Sequence, residues 1–208
     1  RDAGSRRGGD YAVPHSLEGH DRISYTSEHF RMPEFSVLNL KNVSYNIIAK
    51  IELVDSKQSG VIVCQGGSMA GWALYIDEYG TLRFVYNWFG KEFTELSHKS
   101  QLNLGAHELR VSYSHDGGFG AGGYYSLKVN GISVDSARID RTVPVIFSMS
   151  GETFDVGRNT GSPVSDYPSQ FPFAGKIEEV VLERLNDKDA ETLRKELEGR
   201  FIASLSAQ

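Results

Sequence analysis

The sequence predicts an all-β fold, a sandwich of two antiparallel sheets, followed by one C-terminal α-helix. Its 208 residues include 22 Gly and only 6 Pro, a composition that suits many tight turns between short strands. From residue 44 to 183, short segments of alternating apolar and polar residues are separated by turn sequences. After residue 186 the apolar residues recur at every fourth position, which predicts a helix.

The first predicted strands carry this alternation clearly. In SYNIIAKIELV (44–54), every second residue from Tyr45 onward is apolar and is expected on the core face. The apolar run GVIVCQGG follows, and GWALYI then places Trp72 and Leu74 on one face and Tyr75 on the other. These patterns predict three strands in succession.

A turn at Asp77-Glu-Tyr-Gly80 leads into the next strand, TLRFVYNWF. On the opposite face from the core, Arg83 and Asn87 lie beside Tyr75, and we expect them to form an exposed polar set. Four large side chains share the other face: Leu82, Phe84, Tyr86 and Trp88.

The strongest hairpin signal is Asn130-Gly131, because Asn-Gly accepts the positive φ angles of a type I′ turn. Before it stands Gly118-Phe-Gly-Ala-Gly-Gly123, which matches the dinucleotide-binding pattern G-x-G-x-x-G letter for letter. That pattern has to open a helix inside a βαβ unit, whereas here strand-like segments flank it on both sides. We therefore predict a strand-to-strand loop and no nucleotide site. FDVGRN and KIEEVVLER complete the set of strands.

The chain is predicted to have three parts. Residues 1–19 are polar and rich in Gly and Arg, as in a flexible arm or linker, and residues 20–185 form the sandwich. Residues 186–208 form a helix, capped by Asn186, that packs on the sandwich or on a partner. Its apolar face consists of Leu193, Leu197, Phe201 and Leu205, and its predicted ion pairs are Glu191–Lys195 and Glu196–Arg200.

Composition excludes several classes of function. The net charge is −5, and the sequence lacks the basic stripe of a nucleic-acid-binding protein. It also contains no run of about 18 apolar residues, so that no membrane span is predicted. Cys64 is the single cysteine, which excludes an intrachain disulfide, and its apolar surroundings indicate a buried side chain rather than a reactive thiol. No signal peptide is visible, and a chain that begins with Arg is compatible with processing or truncation.

Several blocks occur in an order that resembles one known family. They are GVIVCQGG, GWALYIDEYGTLRFVYNWFG, SHDGGFGAGGYYSLKVNG, RTVPVIFS, ETFDVGRNTGSPVS and FPFAGKIEEV. Together they resemble the C-terminal domain of large bacterial arylsulfatases, a concanavalin A-like, laminin-G-like jelly roll. The resemblance implies an accessory domain of a sulfuric ester hydrolase, from the bacterial cytoplasm or periplasm. Its implied partner is a sulfatase catalytic domain or further copies of the chain.

The chain as given lacks the catalytic motifs that would make it an enzyme. Arylsulfatases of that family carry C/S-x-P-x-R, whereas Cys64 is followed by Gln-Gly-Gly. Concanavalin-like glucanases carry E-x-D-x-x-E, and the nearest acidic pair, Glu179 and Glu183, is about 13 Å apart along a strand, too far for retaining chemistry. The histidines form no H-x-x-x-H pair, so that a zinc site is not expected.

Two candidate sites remain, each with a structural alternative. Laminin-G-like domains often hold calcium at a rim, and the resemblance implies a calcium site at Asp116, Asp155 and Asn159. The alternative is that these residues are turn formers, because Asp and Asn side chains stabilise turns. A sugar-binding surface is predicted at Tyr75, Arg83, Asn87 and Trp88, although burial is the ordinary fate of a Trp.

Two functions therefore stand open at the level of sequence. The first is a non-catalytic accessory domain that docks on a sulfatase catalytic domain or on its own copies. The alternative is a free-standing lectin-like module that binds carbohydrate, with or without calcium.

Overall fold

The computed structural model describes residues 17, 19–55 and 57–206, so that nearly all of the predicted arm (1–19) lies outside the described residues. The strands and the helix are, in chain order, β1 (Arg22–Tyr25), β2 (Tyr45–Leu53), β3 (Gly60–Gly66), β4 (Gly71–Ile76), β5 (Leu82–Trp88), β6 (Glu92–Ser97), β7 (Gly105–His115), β8 (Ala121–Val129), β9 (Ile132–Arg141), β10 (Phe154–Val156), β11 (Lys176–Arg184) and α1 (Asp187–Ser206). They form two antiparallel sheets and one helix, which confirms the predicted fold class.

The two sheets interleave distant parts of the chain. The six-stranded sheet has the order β1–β11–β2–β7–β8–β9, and the five-stranded sheet has the order β10–β3–β4–β5–β6. The short strand β1, which sequence alternation does not predict, pairs with β11. The outermost strands β6 and β9 are linked across the sandwich, because Asp135 accepts a hydrogen bond from the Ser97 backbone N–H and Arg141 pairs with Glu92.

The core lies between the sheets and follows the predicted alternation. Every second side chain of β2 from Tyr45 to Leu53 is buried there, and β4 and β5 contribute Trp72 and Phe84. Burial of these large apolar side chains supplies most of the driving force for folding. At the end of β5, Trp88 is half-buried, and the Arg141 guanidinium lies 3.9 Å from its ring centre.

The outer face of the five-stranded sheet is also buried and apolar. The connection 157–173 crosses this face and covers it with Val164, Tyr167 and Phe171. Cys64 lies beneath this cover, where its thiol faces the Arg158 carbonyl oxygen at 3.6 Å and burial raises the thiol pKa well above its usual value. The prediction of a buried structural cysteine is confirmed.

Helix α1 lies on the outer face of the six-stranded sheet, against β7, β8 and β9. Asn186 caps it by accepting the Asp189 backbone N–H at 3.0 Å, and the two predicted ion pairs are present. Of the predicted apolar face, Leu197 is buried and Leu193 is half-buried, like Phe201, while the side chain of Leu205 lies outside the described part of the chain. Within the described part, no helix is long and apolar enough to cross a membrane.

The Gly-rich motif at 118–123 is a strand connection, as predicted. Its first three residues lie in the loop between β7 and β8 and its last three begin β8, and the Asp116 backbone N–H donates to the Gly122 carbonyl oxygen across the turn. Gly118 and Gly120 have φ angles of 93° and 67°, which favour glycine. Because no helix begins here, no helix N-terminus faces a phosphate site at this motif.

Candidate functional site: a polar cleft beside the terminal helix

One line of polar side chains crosses the outer face of the six-stranded sheet. Each member is the register partner of the next, so that the line runs through all six strands in the order β1, β11, β2, β7, β8 and β9. Facing side chains on neighbouring strands lie about 5 Å apart, so that such a line forms a continuous strip. We call this strip the polar row, and it consists of Arg22, Glu183, Asn46, Ser112, Ser126 and Ser136.

Hydrogen bonds fix the first four members of the polar row. Arg22 donates to Glu183 at 2.5 Å, and the Asn46 side-chain amide donates to the other carboxylate oxygen of Glu183 at 2.9 Å. The Ser112 hydroxyl in turn donates to the Asn46 amide oxygen at 2.7 Å. Asn46 and Ser112 are buried, and their positions are therefore set before any ligand arrives.

These four members of the polar row form the floor of an open cleft of about 450 Å³, a volume within the range of small-ligand sites. The first turns of α1 form one wall through Asp189, Leu193 and Glu196. Arg110 and Lys128, from β7 and β8, stand beside the floor, and Lys128 pairs with Glu196 of the helix at 3.0 Å. The cleft therefore offers both hydrogen-bond donors and ionised acceptors within one concave surface.

Glu183 is held in its ionised form. Partial burial by itself would raise the pKa of this carboxyl, but hydrogen bonds from Asn46 and Arg22 outweigh burial and lower the pKa below its usual range. Its carboxylate is thus a fixed hydrogen-bond acceptor at neutral pH.

The lowered pKa of Glu183 makes stability depend on pH. A carboxyl with a lower pKa in the folded than in the unfolded chain stabilises the fold above about pH 4.3 and loses this contribution as the pH falls through the folded value. We expect Glu183→Gln to be less stable than the natural chain at pH 6, with a smaller difference at pH 3.5. Urea unfolding at the two pH values measures both differences, and equal differences would contradict this assignment.

The sugar surface predicted at Tyr75, Arg83, Asn87 and Trp88 is largely closed in the structure. Asn87 was expected to be exposed, and this is wrong: its side-chain amide is fully buried and donates to the carbonyl oxygens of Gly67, Ser68 and Val164. The physical reason is the cover formed by residues 157–173, which alternation within one strand does not reveal.

The other members of this predicted surface have structural partners as well. Tyr75 is buried against Tyr167, with ring centres 4.8 Å apart, and burial raises its pKa to about 12. Arg83 keeps an exposed part and pairs with Asp77 at 2.7 Å and with Glu95 at 3.6 Å. Of the four predicted residues, Arg83 and the half-buried Trp88 keep side-chain surface for a ligand.

The three residues predicted to bind calcium do not form one ligand set. Asp116 follows β7 in the six-stranded sheet and pairs with Arg138 at 2.6 Å. Asp155 lies on β10 in the other sheet, and both its oxygens accept hydrogen bonds from Thr160. Asn159 is buried and uses its amide oxygen for the Gly161 backbone N–H. A calcium requirement therefore remains a prediction from the sequence, which binding experiments test.

Metal-binding side chains of other types are not gathered elsewhere in the described residues. Among residues 17, 19–55 and 57–206, no three His, Cys, Asp or Glu side chains converge in a way that would hold a metal ion.

Comparison with known proteins shows the fold. No family profile and no curated protein matches the sequence. Among solved structures, a leech intramolecular trans-sialidase is 13% identical with a TM-score of 0.51, over 84% of this chain and 27% of that chain. The sialidase CBM40 domain of Ruminococcus gnavus, bound to α2,3-sialyllactose, is 15% identical with a TM-score of 0.48, over 74% of this chain and 83% of that chain. Domains LG4–5 of the mouse laminin α1 chain are 17% identical with a TM-score of 0.45, over 82% of this chain and 41% of that chain.

The chain thus has the lectin-like jelly-roll fold that the sequence predicts, with two antiparallel sheets and one terminal helix. At these identities the likeness extends to the fold alone.

Proposed function

We propose that this chain is a binding module for oligosaccharides and that the cleft beside α1 is its site. The observation that carries the proposal is the hydrogen-bonded floor of the cleft, where Glu183, Asn46 and Ser112 are fixed in place. Sugar hydroxyls donate and accept hydrogen bonds in close succession, and they are best recognised by such fixed mixed groups. The fold adds support, since the leech trans-sialidase to which this chain is similar was solved with the sugar 2,7-anhydro-Neu5Ac.

The electrostatics of the cleft favour binding over reaction. A glycoside hydrolase needs one protonated carboxyl as the general acid, and its pKa has to be raised toward neutral pH. In Glu183 the shift goes the opposite way, since hydrogen bonds from Asn46 and Arg22 lower its pKa. The carboxylate is suited to hold a sugar hydroxyl and unsuited to protonate a leaving group.

Arg110 is the side chain best placed to report on this site. It stands on β7 beside the cleft and pairs with Glu108, which lies two residues away on the same strand, at 3.1 Å. We expect Arg110→Ala to weaken oligosaccharide binding by about 10- to 100-fold, which is the usual cost of losing one or two charged hydrogen bonds. Binding is measured on an array of sialylated, sulfated, uronate-containing and neutral oligosaccharides, with calcium and with a chelator.

Arg83→Ala is the matched comparison. Arg83 lies on the five-stranded sheet, its side chain is 36% exposed like that of Arg110, and it also pairs with a carboxylate. It belongs to the surface predicted from sequence, so that the two variants separate the two sites. Loss of binding in Arg83→Ala with full binding in Arg110→Ala would place the site on the five-stranded sheet. An array without signal would overturn the proposed function, and loss of signal with the chelator would support the predicted calcium dependence.

A second candidate is the accessory role that the sequence blocks suggest, as a domain docked on a sulfatase catalytic domain. Four exposed apolar side chains favour a docking surface at one end of the sandwich, namely Phe35, Phe119, Val145 and Met149. Their loops are tied together, because Asn42 bonds both the Gly120 N–H and the Pro144 carbonyl oxygen. A coding region upstream that carries C/S-x-P-x-R would support this role, and an unrelated upstream sequence would count against it.

A further inference from the structure

The polar row does not stop at the edge of the cleft. Its last two members, Ser126 and Ser136, lie on β8 and β9, where α1 crosses the sheet. Lys128 and Tyr124, on either side of Ser126 along β8, touch the helix through Glu196 at 3.0 Å and through the ring of Phe201 at 5.5 Å between centres. Ser126 therefore lies beneath the helix, and it is fully buried there.

The face beneath the helix is unlike an ordinary packing surface. A helix that covers a sheet permanently meets apolar side chains, as on the other sheet of this protein, where Val61, Ala73 and Val85 lie beneath the connection 157–173. Beneath α1 the central position is Ser126 instead, and Leu197 is the single buried apolar side chain among the described residues of the helix. Beside Leu197 and the Tyr124–Phe201 ring contact, the cover is held by the partly exposed Lys128–Glu196 ion pair, which water replaces readily.

Hydrogen-bonding capacity is also left unused beneath the helix. Ser114 and Arg138 flank Tyr124 as its register partners on β7 and β9. The Ser114 hydroxyl is fully buried, and neither it nor Nη1 of Arg138 has a hydrogen-bond partner among the described residues. An unpaired buried polar group carries a cost in the covered state that is relieved when the surface opens to water or to a ligand.

We propose that α1 is a displaceable cover and that the whole polar row, six strands and about 24 Å wide, is the oligosaccharide-binding surface. The open cleft then receives one end of the sugar chain. A longer oligosaccharide displaces the helix and takes its place over Ser126 and Ser136. The assignment of sugar to this surface rests on the proposed function of the cleft, whereas the opening of the helix does not. Ligand and helix compete for one surface, so that loosening the helix strengthens binding.

A cysteine placed beneath the helix tests the opening. In the full chain carrying Ser126→Cys, a maleimide reagent is expected to modify the new thiol at least tenfold faster than Cys64, which is equally buried beneath the apolar cover of the other sheet. Leu197→Ala in the same chain is expected to speed modification at position 126 about tenfold further and to leave the rate at Cys64 unchanged. Amide hydrogen exchange on the unsubstituted chain gives the same information without a variant, with fast exchange over 187–206 and slow exchange in β8.

Two results would show that the helix opens only with global unfolding: slow modification at position 126, or an equal effect of Leu197→Ala on both thiols. Either result would overturn the proposal that α1 is a displaceable cover. The oligosaccharide array, repeated with Leu197→Ala, tests the competition. If Leu197→Ala reaches half-saturation at a three- to tenfold lower oligosaccharide concentration than the unsubstituted chain, a shared surface is supported. If its binding is unchanged although the thiol at position 126 is modified fast, the shared surface is overturned. An array without signal for either chain overturns the proposed function and the ligand assigned to the row, whatever the thiol rates.

Discussion

Replacing Glu34 by Ala is expected to lower the free energy of unfolding by about 3–5 kcal/mol, because it removes the carboxylate that forms a buried ion pair with Lys41. The Glu34 carboxylate accepts Nζ of Lys41 at 2.5 Å, with both side chains less than a tenth exposed. It also accepts the backbone N–H groups of Phe147 and Ser148 at about 3 Å. The substitution therefore removes an ion pair and two hydrogen bonds that join two separate loops of the chain.

Urea unfolding of Glu34→Ala and of Glu179→Ala measures this difference. Glu179 also pairs with a lysine, Lys50 at 2.8 Å, but both side chains are about a third or more exposed. Removing an exposed pair of this kind costs about 0–1 kcal/mol. Similar small losses in the two variants would show that the Glu34 pair does not hold the loops.

Gly123→Ala is expected to destabilise the fold by about 3 kcal/mol or more, because a methyl group at this position has no space. An added Cβ would lie 2.1 Å from the Ser114 carbonyl oxygen and 2.7 Å from the Tyr113 ring, within the β7–β8 pair. Neither atom is the end of a flexible side chain, so that the two strands would have to separate. Thermal or urea unfolding measures the loss.

Gly118→Ala is the comparison within the same Gly-rich motif. Gly118 has open space around its Cα, with nothing within 4 Å of an added Cβ, but its φ of 93° is strained for alanine. A cost of about 1–2 kcal/mol is expected from backbone strain alone. Equal losses for the two variants would contradict the role of Gly123 as a point of close strand approach.

Sequence alternation suffices to predict which face of a strand a residue occupies, but not what lies on that face. Asn87 was placed correctly on the side away from the core. The connection that buries it comes much later in the chain, and Val164, which accepts a hydrogen bond from Asn87, is 77 positions away. Nothing in the local pattern around TLRFVYNWF indicates that a distant connection crosses this sheet. The prediction of exposure failed for this reason, although the strand itself was predicted correctly.

The polar row was invisible in the sequence for a related reason. Its members look like ordinary polar positions of separate strands, and only the pairing of β11 with β2 and of β2 with β7 sets Glu183, Asn46 and Ser112 side by side. Asn46 and Ser112 are 66 residues apart. One signal was available: small polar residues at outward strand positions, Asn46, Ser112 and Ser126, are unusual where a helix is predicted to pack.

The links between β6 and β9 bear on how this chain behaves at high concentration. A long unpaired strand edge is a template for pairing with other chains and for aggregation. Here the two outer strands on one side of the sandwich are tied to each other through Asp135 and Arg141, and on the other side β1 and β10 have only four and three residues. The edges are thus poor templates for addition of a foreign strand, and contacts between copies of the molecule are expected to form through its faces and loops.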